Sequence, residues 1–419
     1  MSGNSASGPV RPVVTELRLS AFKGHRGAVL PLGPVTLVAG ASGSGKSGVL
    51  EAYGALARLA GGDPLAEVFP DPAAYVPRGV RPDEQGRRGF RIGCTVDGPV
   101  GPVRLDVAVQ AEPELRVVGE RMTGAGRTLL ETALRDPRRS TVQGAWYTAG
   151  AVAVTRAPLP DDRLATPLLP LRVAGRTEGQ RLALAAAEQV VIALRCAFAC
   201  DPRPERMRGS AAADEGLLRG TCDNLAAVLR RTSRECVTRH AALVAAVRAG
   251  CPGAGPVADL VTEELPDGAV RALVAQGEAG ALPVARLGDG ELRYLALALV
   301  LLTGPGVLEM DAAPDVLPAR QALTVLADGF DRCLDDRQAR ELLGLAARMG
   351  ARGHVRLLGT VGRAVDASGA TGADESAPVA VLRLRDPGDR DGRAGARDGD
   401  RAGHLMPLAE PDSPVRHSP

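Results

Sequence analysis

Eight consecutive residues near the start of the chain have the types and spacing of a phosphate-binding loop. They follow the pattern G-x-x-x-x-G-K-S and are Gly40, Ala41, Ser42, Gly43, Ser44, Gly45, Lys46 and Ser47. Glycines allow the backbone to wrap closely enough for successive N–H groups to point at phosphate oxygens. In this pattern the lysine reaches the β- and γ-phosphates, and the final hydroxyl can ligate Mg²⁺. The segment, called the phosphate loop below, predicts binding of ATP with Mg²⁺.

A chance glycine turn is the alternative interpretation, since the chain contains 51 glycines. Lysine, however, occurs only twice among 419 residues, as Lys23 and Lys46, and one of the two stands at the required place. The loop also follows a short apolar run at 35–39 and precedes a helical pattern at 48–60, which is the context that this motif needs. Composition and context together favour the phosphate loop.

The surrounding patterns predict the elements that position this loop. The alternating run 15–22 and the apolar run 35–39 predict strands, and three β-like runs from residue 90 to about 130 predict an antiparallel meander. Apolar residues at helical spacing predict helices at 177–198 and 224–249. The last third alternates between the two types, with predicted helices at 291–302 and 337–349 and predicted strands at 323–327 and 355–358. That alternation is typical of an α/β fold with a parallel sheet.

Composition excludes several classes of function. Aromatic residues are only 2% of the chain, too few for a base-stacking surface, and the net charge of +2 does not indicate a nucleic-acid or membrane partner. The seven cysteines include no C-x-x-C pair, which disfavours a disulfide framework and a zinc site. Cys196 and Cys200, predicted on one helix, are expected to be packing residues. No signal peptide and no membrane-spanning run is recognised, so a cytoplasmic location is expected.

The segment 15–52, TELRLSAFKGHRGAVLPLGPVTLVAGASGSGKSGVLEA, resembles the N-terminus of the RecF/SMC/OLD-like branch of ABC-type ATPases, often catalogued as AAA-type ATP-binding proteins. In that branch a strand ending in Phe-Lys or Phe-Arg precedes the strand of the phosphate loop. Lys23 matches the basic position, and the resemblance implies that it lies near the bound nucleotide. An ordinary surface lysine is the alternative.

The segment 285–302 resembles the signature of this family, which reads L-S-x-G-x-x-R. Here the corresponding positions read Leu287, Gly288, Asp289, Gly290, Glu291, Leu292 and Arg293. Gly288 replaces the usual serine, so one hydroxyl that normally contacts the γ-phosphate is missing. The resemblance implies that residues 287–290 complete the nucleotide site of a partner protomer. A plain loop before a buried helix is the alternative.

The acid that holds Mg²⁺ is expected at the end of an apolar strand. Asp328 follows the run 323–327 and is preferred over Asp311, with 304–320 treated as an insertion. In the family a catalytic glutamate follows this aspartate, but here the next residue is Gly329, and the expected switch histidine is replaced by Val361. Asp331 is the substitute base, although a position three residues on requires a different loop geometry.

The resemblance therefore implies an ABC-type ATPase head with an antiparallel β insertion and a helical lobe. Its expected function is ATP-dependent dimerisation or conformational switching with slow hydrolysis. DNA repair, chromosome handling and phage defence are settings of this branch, so DNA is a partner by analogy only. A catalytically degenerate regulatory protein that binds ATP as a structural ligand is the main alternative, and a P-loop kinase is a weaker one.

These predictions divide the chain into six segments. They are a disordered N-terminus (1–12), the first part of the ATPase core (13–89), an antiparallel β sub-domain (90–150), a helical lobe and connection (151–280), the second part of the core (281–384) and a disordered charged tail (385–419).

Overall fold

The computed structural model describes residues 10–150, 152–310, 316–317, 320–362 and 378–384. The predicted tail at 385–419 and most of the predicted disordered N-terminus lie outside the described residues. No helix among the described residues is long and apolar enough to cross a membrane.

The described chain is a mixed α/β structure. Its strands are β1 (Val13–Phe22), β2 (His25–Pro31), β3 (Val35–Ala39), β4 (Arg88–Asp97), β5 (Val103–Glu112), β6 (Arg116–Gly124), β7 (Arg127–Ala133), β8 (Thr141–Tyr147), β9 (Val154–Pro160), β10 (Ala197–Cys200), β11 (Ala211–Ala212), β12 (Asp259–Glu264), β13 (Ala269–Ala275), β14 (Ala281–Pro283), β15 (Leu323–Ala327), β16 (Val355–Val361) and β17 (Val379–Arg383). Its α-helices are α1 (Lys46–Gly61), α2 (Leu65–Val68), α3 (Glu178–Arg195), α4 (Pro204–Met207), α5 (Leu225–Glu235), α6 (Val237–Gly250), α7 (Asp289–Leu301) and α8 (Asp336–Ala351). Short 3-10 helices cover Pro72–Tyr75, Thr166–Leu171, Pro252–Ala254, Gly277–Ala279, Val284–Arg286 and Pro305–Val307.

The chain divides into two compact units. The parallel-sheet unit comprises Pro31–Gly54 and the described residues from Arg195 onward, with residues 10–13. The antiparallel-sheet unit comprises Val14–Leu30 and Ala55–Leu194. The predicted helical lobe at 151–280 is therefore not one body, because α3 belongs to the second unit whereas α5 and α6 belong to the first.

The parallel-sheet unit is built on five strands in the order β10-β15-β16-β3-β17, all parallel. Every residue of β3 and β15 is buried, as expected for strands covered on both faces. Helix α7 is buried along its whole length from Leu292 to Leu301, which explains its continuous apolar run. Because the strands are parallel, their carboxyl ends meet at one edge of the sheet, where ligands bind in open α/β folds.

The antiparallel-sheet unit contains one eight-stranded sheet in the order β2-β1-β4-β5-β6-β7-β8-β9. The predicted meander is present as β4, β5 and β6, which pair antiparallel with their neighbours. The sheet is nevertheless larger than predicted, since β1 and β2 join it on one side and β7 to β9 extend it on the other. Pairing between β1 and strands far along the chain gives no local sequence signal, so the sequence alone predicts β1 as part of the ATPase core.

Two helix predictions differ from the structure. The predicted helix at 224–249 is interrupted at Cys236, whose backbone is extended (φ −149°, ψ 86°), so α5 and α6 are separate helices. The predicted helix at 177–198 ends at Arg195, and the chain continues as β10. Cys196 and Cys200 are therefore not on one helix; both are buried, and no group of metal-ligating side chains occurs among the described residues.

Glu120, in the antiparallel-sheet unit, carries a fully buried carboxylate. One oxygen accepts a hydrogen bond from the Ala165 backbone N–H (2.6 Å), and the other accepts from the backbone N–H (2.9 Å) and hydroxyl of Thr166. Burial raises the pKa of Glu120, and these three hydrogen bonds oppose that rise. The carboxylate thus ties β6 to the segment that begins at Ala165.

Replacing Glu120 with glutamine is expected to lower the free energy of unfolding by about 1–3 kcal/mol, because an amide NH₂ would face a buried donor on one side. The measurement is thermal or urea unfolding. Glu131→Gln is the matched control: Glu131 lies on β7, is 32% exposed and pairs with Arg121 at 3.7 Å, so its loss should cost less than about 1 kcal/mol. Equal effects of the two substitutions would contradict this account of Glu120.

Candidate functional site

The phosphate loop connects the carboxyl end of β3 to the start of α1. Gly43 and Gly45 have φ angles of +80° and +97°, a region that residues with a Cβ rarely adopt. A Cβ at Gly40 would lie 2.6 Å from the Ser44 hydroxyl, so a side chain there would displace that hydroxyl. The Ser44 hydroxyl oxygen is buried and has no hydrogen-bond partner among the described residues. The sequence pattern thus corresponds to a tight loop at the amino terminus of a 16-residue helix.

Lys46 is the first residue of α1 and folds back over the loop. Its Nζ donates hydrogen bonds to the carbonyl oxygens of Gly40 (2.7 Å) and Ala41 (2.9 Å). These bonds hold the ammonium group at the loop instead of letting it extend into solvent. A cation held at a helix amino terminus, where the helix dipole favours negative charge, suits an anionic ligand.

Ser47 lies next to the carboxylate of Asp328. Its Oγ is 3.2 Å from Oδ1 and 3.1 Å from Oδ2 of Asp328, although 281 residues separate the two in sequence. Asp328 directly follows β15, and β16 lies between β15 and β3 in the sheet. The two predicted metal-binding residues are therefore adjacent at the carboxyl edge of the parallel sheet, and their hydroxyl and carboxylate oxygens are ligands that Mg²⁺ prefers.

The structure adds Thr360, near the end of β16, to this arrangement. Its hydroxyl donates to Asp328 Oδ1 (2.6 Å) and accepts from the Gly329 backbone N–H (2.8 Å), and its side chain is buried. Thr360 thereby fixes the Asp328 carboxylate in place. Sequence reasoning missed this residue, because one threonine inside an apolar strand carries no distinctive signal.

A cavity of about 560 Å³ adjoins the Ser47–Asp328 pair. One wall is the face of α1 that carries Ser47 and Glu51, and another is the end of β10 with Asp201. The segment Arg219, Gly220 and Thr221 also lines it. The cavity gives a ligand that is held at the phosphate loop additional space beside Asp328.

The predicted signature segment forms the start of α7. Leu287 is buried, Gly288 is the residue before the helix, and the Glu291 carboxylate accepts a hydrogen bond from the Gly288 N–H (3.1 Å). Arg208 donates to the carbonyl oxygens of Ala285 and Leu287 (2.9 Å) and to the Asp289 carboxylate (2.6 Å).

The middle of this segment has a packing constraint. A Cβ at Gly290 would lie 2.3 Å from the carbonyl oxygen of Cys333, so the glycine allows α7 to approach the chain that follows β15 closely.

Arg293 connects α7 to two strand ends of the parallel sheet. It is 1% exposed and donates to the carbonyl oxygens of Pro202 and Gly329 (3.0 Å), and it pairs with Asp201 at 3.3 Å. Pro202 and Asp201 follow β10, whereas Gly329 is next to Asp328. The arginine of the signature pattern is thus buried beside the candidate metal site.

The predicted substitute base, Asp331, follows β15 in sequence, and its carboxylate lies next to Gly362, the residue after β16. Its two carboxylate oxygens are 3.1 and 3.0 Å from the Gly362 backbone nitrogen, which donates to them. Asp335, four residues further on, accepts from the Gln338 N–H (2.7 Å) and caps α8. The alternative metal acid, Asp311, lies outside the described residues.

Lys23 belongs to the antiparallel-sheet unit, whereas the phosphate loop belongs to the other unit. Its backbone N–H donates to the Tyr75 carbonyl (2.9 Å), and its ammonium group lies 4.7 Å from the centre of the Tyr75 ring. This cation–π contact explains the position of the Lys23 side chain without a bound nucleotide. A role of Lys23 at the nucleotide remains a prediction.

Of three comparisons with known proteins, only the comparison with solved structures found similar proteins. A search with protein-family models and a search of curated proteins each found no match. Among solved structures, an SMC head bound to the C-terminal winged-helix domain of ScpA shares 13% identity, with 88% of this chain and 97% of that chain covered and a TM-score of 0.46.

Two further SMC head structures give similar values. The head with an extended coiled coil bound to the C-terminal domain of ScpA, from Pyrococcus furiosus, shares 11% identity over 87% of this chain and 95% of that chain, with a TM-score of 0.44. The SMC head domain from Thermotoga maritima shares 12% over 87% and 97%, with a TM-score of 0.40. At such identities and TM-scores these likenesses do not define the function of this chain.

Proposed function

We propose that this protein binds ATP with Mg²⁺ at the phosphate loop and uses that binding to dimerise or change conformation, as an ABC-type ATPase with slow hydrolysis. The contact between the Ser47 hydroxyl and the Asp328 carboxylate, beside a glycine loop at the start of α1, is the observation that carries this proposal. Mg²⁺ is commonly held by one or two protein oxygens together with phosphate oxygens and water. Ser47 and Asp328 would supply the protein ligands, and Mg²⁺ would neutralise phosphate charge.

Slow hydrolysis follows from the residue after Asp328. Gly329 has no side chain that could polarise an attacking water, and the Asp331 carboxylate already accepts hydrogen bonds from Gly362. Positioned donors and metal ions still stabilise charge at the phosphates, so some turnover is expected without a strong base. Asp331 remains the candidate base.

Dimerisation would use residues 287–290 of one protomer over the nucleotide of its partner. The amino terminus of the 13-residue helix α7 provides backbone N–H groups for this contact. The Glu291 carboxylate, however, already binds the Gly288 N–H and places a negative charge there, whereas the charge of Asp289 is paired with Arg208. The position of Glu291 favours the second candidate function, a regulatory protein in which ATP is a structural ligand. DNA is proposed as a partner only by analogy with the family that the sequence resembles.

The direct test is the mass of the full chain in solution, with and without ATP and Mg²⁺. The dimer proposal expects the mass to rise from 43.2 kDa to twice that value only when both are present. ATP binding without a change in mass would remove the dimer and leave the regulatory function. Phosphate release at the rate of an ordinary ABC-type enzyme would overturn slow hydrolysis, whereas turnover that is unchanged in Asp328→Asn and Asp331→Asn would favour the regulatory protein.

Asp328→Asn is expected to weaken ATP binding in the presence of Mg²⁺ by about tenfold or more, or about 1.4 kcal/mol. Asparagine keeps the size of the side chain but loses the charge that a divalent cation needs. The measurement is the ATP dissociation constant at saturating Mg²⁺ and in EDTA, where the two proteins should differ little. Asp311→Asn serves as the comparison, and a Mg²⁺-specific loss in that variant alone would assign the metal to Asp311.

A further inference from the structure

The space beside Gly329 is filled by a guanidinium group. Gly329 has a φ of +58°, and a Cβ built on it would lie 2.9, 3.0 and 3.1 Å from Nη2, Nε and Cζ of Arg332. Where the resembling family has a carboxylate, this chain therefore has a glycine covered by the side chain of Arg332. The charge next to Asp328 is positive instead of negative.

Arg332 belongs to a cluster with an excess of positive charge. Its Nη1 lies 3.3 Å from Oδ1 of Asp201, the same oxygen that Arg293 approaches at 3.3 Å, and Arg203 lies 3.7 Å from Oδ2. Three guanidinium groups thus surround one carboxylate, which gives a formal charge of +2. Arg293 is buried, but the side chain of Arg332 is 52% exposed and can change partner.

The cluster adjoins the site proposed for the nucleotide. Asp201 lines the cavity that Ser47 and Asp328 also line, and Gly329, against which Arg332 packs, directly follows Asp328. An anion that extends from the phosphate loop past Ser47 and Asp328 would approach the guanidinium of Arg332. Guanidinium groups bind phosphate oxygens through paired, charge-assisted hydrogen bonds, which are stronger than a half-exposed ion pair.

We propose that Arg332 binds the terminal phosphate of a nucleoside triphosphate held by the phosphate loop, and thereby distinguishes the triphosphate from the diphosphate. This inference rests on the proposed function. In the free protein Asp201 holds the guanidinium of Arg332 beside Gly329. When a triphosphate binds, the guanidinium exchanges the Asp201 carboxylate for the terminal phosphate, whereas a diphosphate is too short to compete.

The test compares the dissociation constants of ATP and ADP, both with Mg²⁺, for the full chain and for two variants. Arg332→Ala is expected to weaken ATP binding about tenfold and to change ADP binding less than twofold. Arg203→Ala is the matched control, since Arg203 pairs with the same carboxylate and is 49% exposed, whereas the three atoms nearest to a Cβ at Gly329 all belong to Arg332. It should leave the ratio of the two dissociation constants unchanged. Arg332→Lys, which keeps the charge but not the planar group, should fall between the wild type and Arg332→Ala.

The outcomes separate this inference from the proposed function. If the wild type binds ATP and ADP, and Arg332→Ala leaves the ratio of their dissociation constants unchanged, Arg332 does not read the terminal phosphate and the proposed function stands. If Arg203→Ala changes the ratio of the ATP and ADP dissociation constants as much as Arg332→Ala does, the effect is one of general electrostatics. Arg332 would then not be the residue that binds the terminal phosphate. If the wild type binds neither nucleotide, the proposed function fails and the inference fails with it.

Discussion

Lys46→Ala is expected to weaken ATP binding about 100-fold, which corresponds to about 2.7 kcal/mol. The ammonium group of Lys46 is held by the carbonyl oxygens of Gly40 and Ala41, so it already lies where the loop would receive phosphate. In the complex the ammonium would donate to phosphate oxygens; hydrogen bonds to charged groups contribute about 1.5–3 kcal/mol each, and alanine removes those contacts together with the charge. Both ATP and ADP should be affected, because the loop binds phosphates that the two nucleotides share.

The same substitution should leave the melting temperature nearly unchanged. A positive charge at a helix amino terminus is unfavourable without an anion, and this offsets the two hydrogen bonds to Gly40 and Ala41 that alanine removes, so the net cost to the free protein is small. Arg58→Ala is the matched control: Arg58 lies in the last turn of α1, outside the phosphate loop, and pairs with Asp63 at 2.7 Å. Calorimetric titration with ATP should show wild-type affinity for Arg58→Ala. Wild-type affinity in Lys46→Ala would exclude the phosphate loop as the nucleotide site.

The phosphate loop, the strands before it and before Asp328, and Asp328 itself could be predicted from sequence, because each is marked by a short run of neighbouring residues. The strand 35–39 and the strand 323–327 occur with the predicted bounds. A run of five mostly apolar residues followed by a turn residue is too short for a helix and is typical of a buried strand. The phosphate loop follows from its glycines and a rare lysine. The choice of Asp328 over Asp311 rested on the cleaner strand before it, and the hydrogen bond from Ser47 supports that choice.

The rest of the site depends on contacts between distant parts of the chain. Asp201 and Arg332 are 131 residues apart, and Thr360 meets Asp328 across neighbouring strands. The sequence does not separate β10 from α3, because only Arg195 lies between their apolar residues and no glycine or proline marks the end of the helix. The sequence shows directly that Gly329 stands where the family has a glutamate. It does not show that the Arg332 side chain fills the space beside Gly329, because that depends on the backbone conformation of residues 329–332.

Arg293→Ala is expected to lower the free energy of unfolding by about 2–5 kcal/mol. The side chain is 1% exposed, and its removal leaves the carbonyl oxygens of Pro202 and Gly329 without this donor and opens a cavity between α7 and the sheet. Arg332→Ala is the matched control, because Arg332 pairs with the same Asp201 oxygen but is half-exposed, so its loss should cost less than about 1 kcal/mol. Unfolding by heat and by urea measures both variants, and equal destabilisation would contradict the buried role of Arg293.

Arg293 also connects stability to the proposed site. One of its hydrogen bonds ends on the carbonyl of Gly329, whose N–H binds the Thr360 hydroxyl that in turn donates to Asp328. Arg293→Ala should therefore weaken Mg²⁺-dependent ATP binding at temperatures where the variant is still folded, although the side chain lies in the interior. Arg293→Lys keeps the charge but has all its donors on one nitrogen, whereas Arg293 reaches the Pro202 and Gly329 carbonyls from two, so lysine should recover only part of the loss. Full recovery by lysine would mean that charge alone, and not the connection from α7 to the end of β15, holds Asp328 in position.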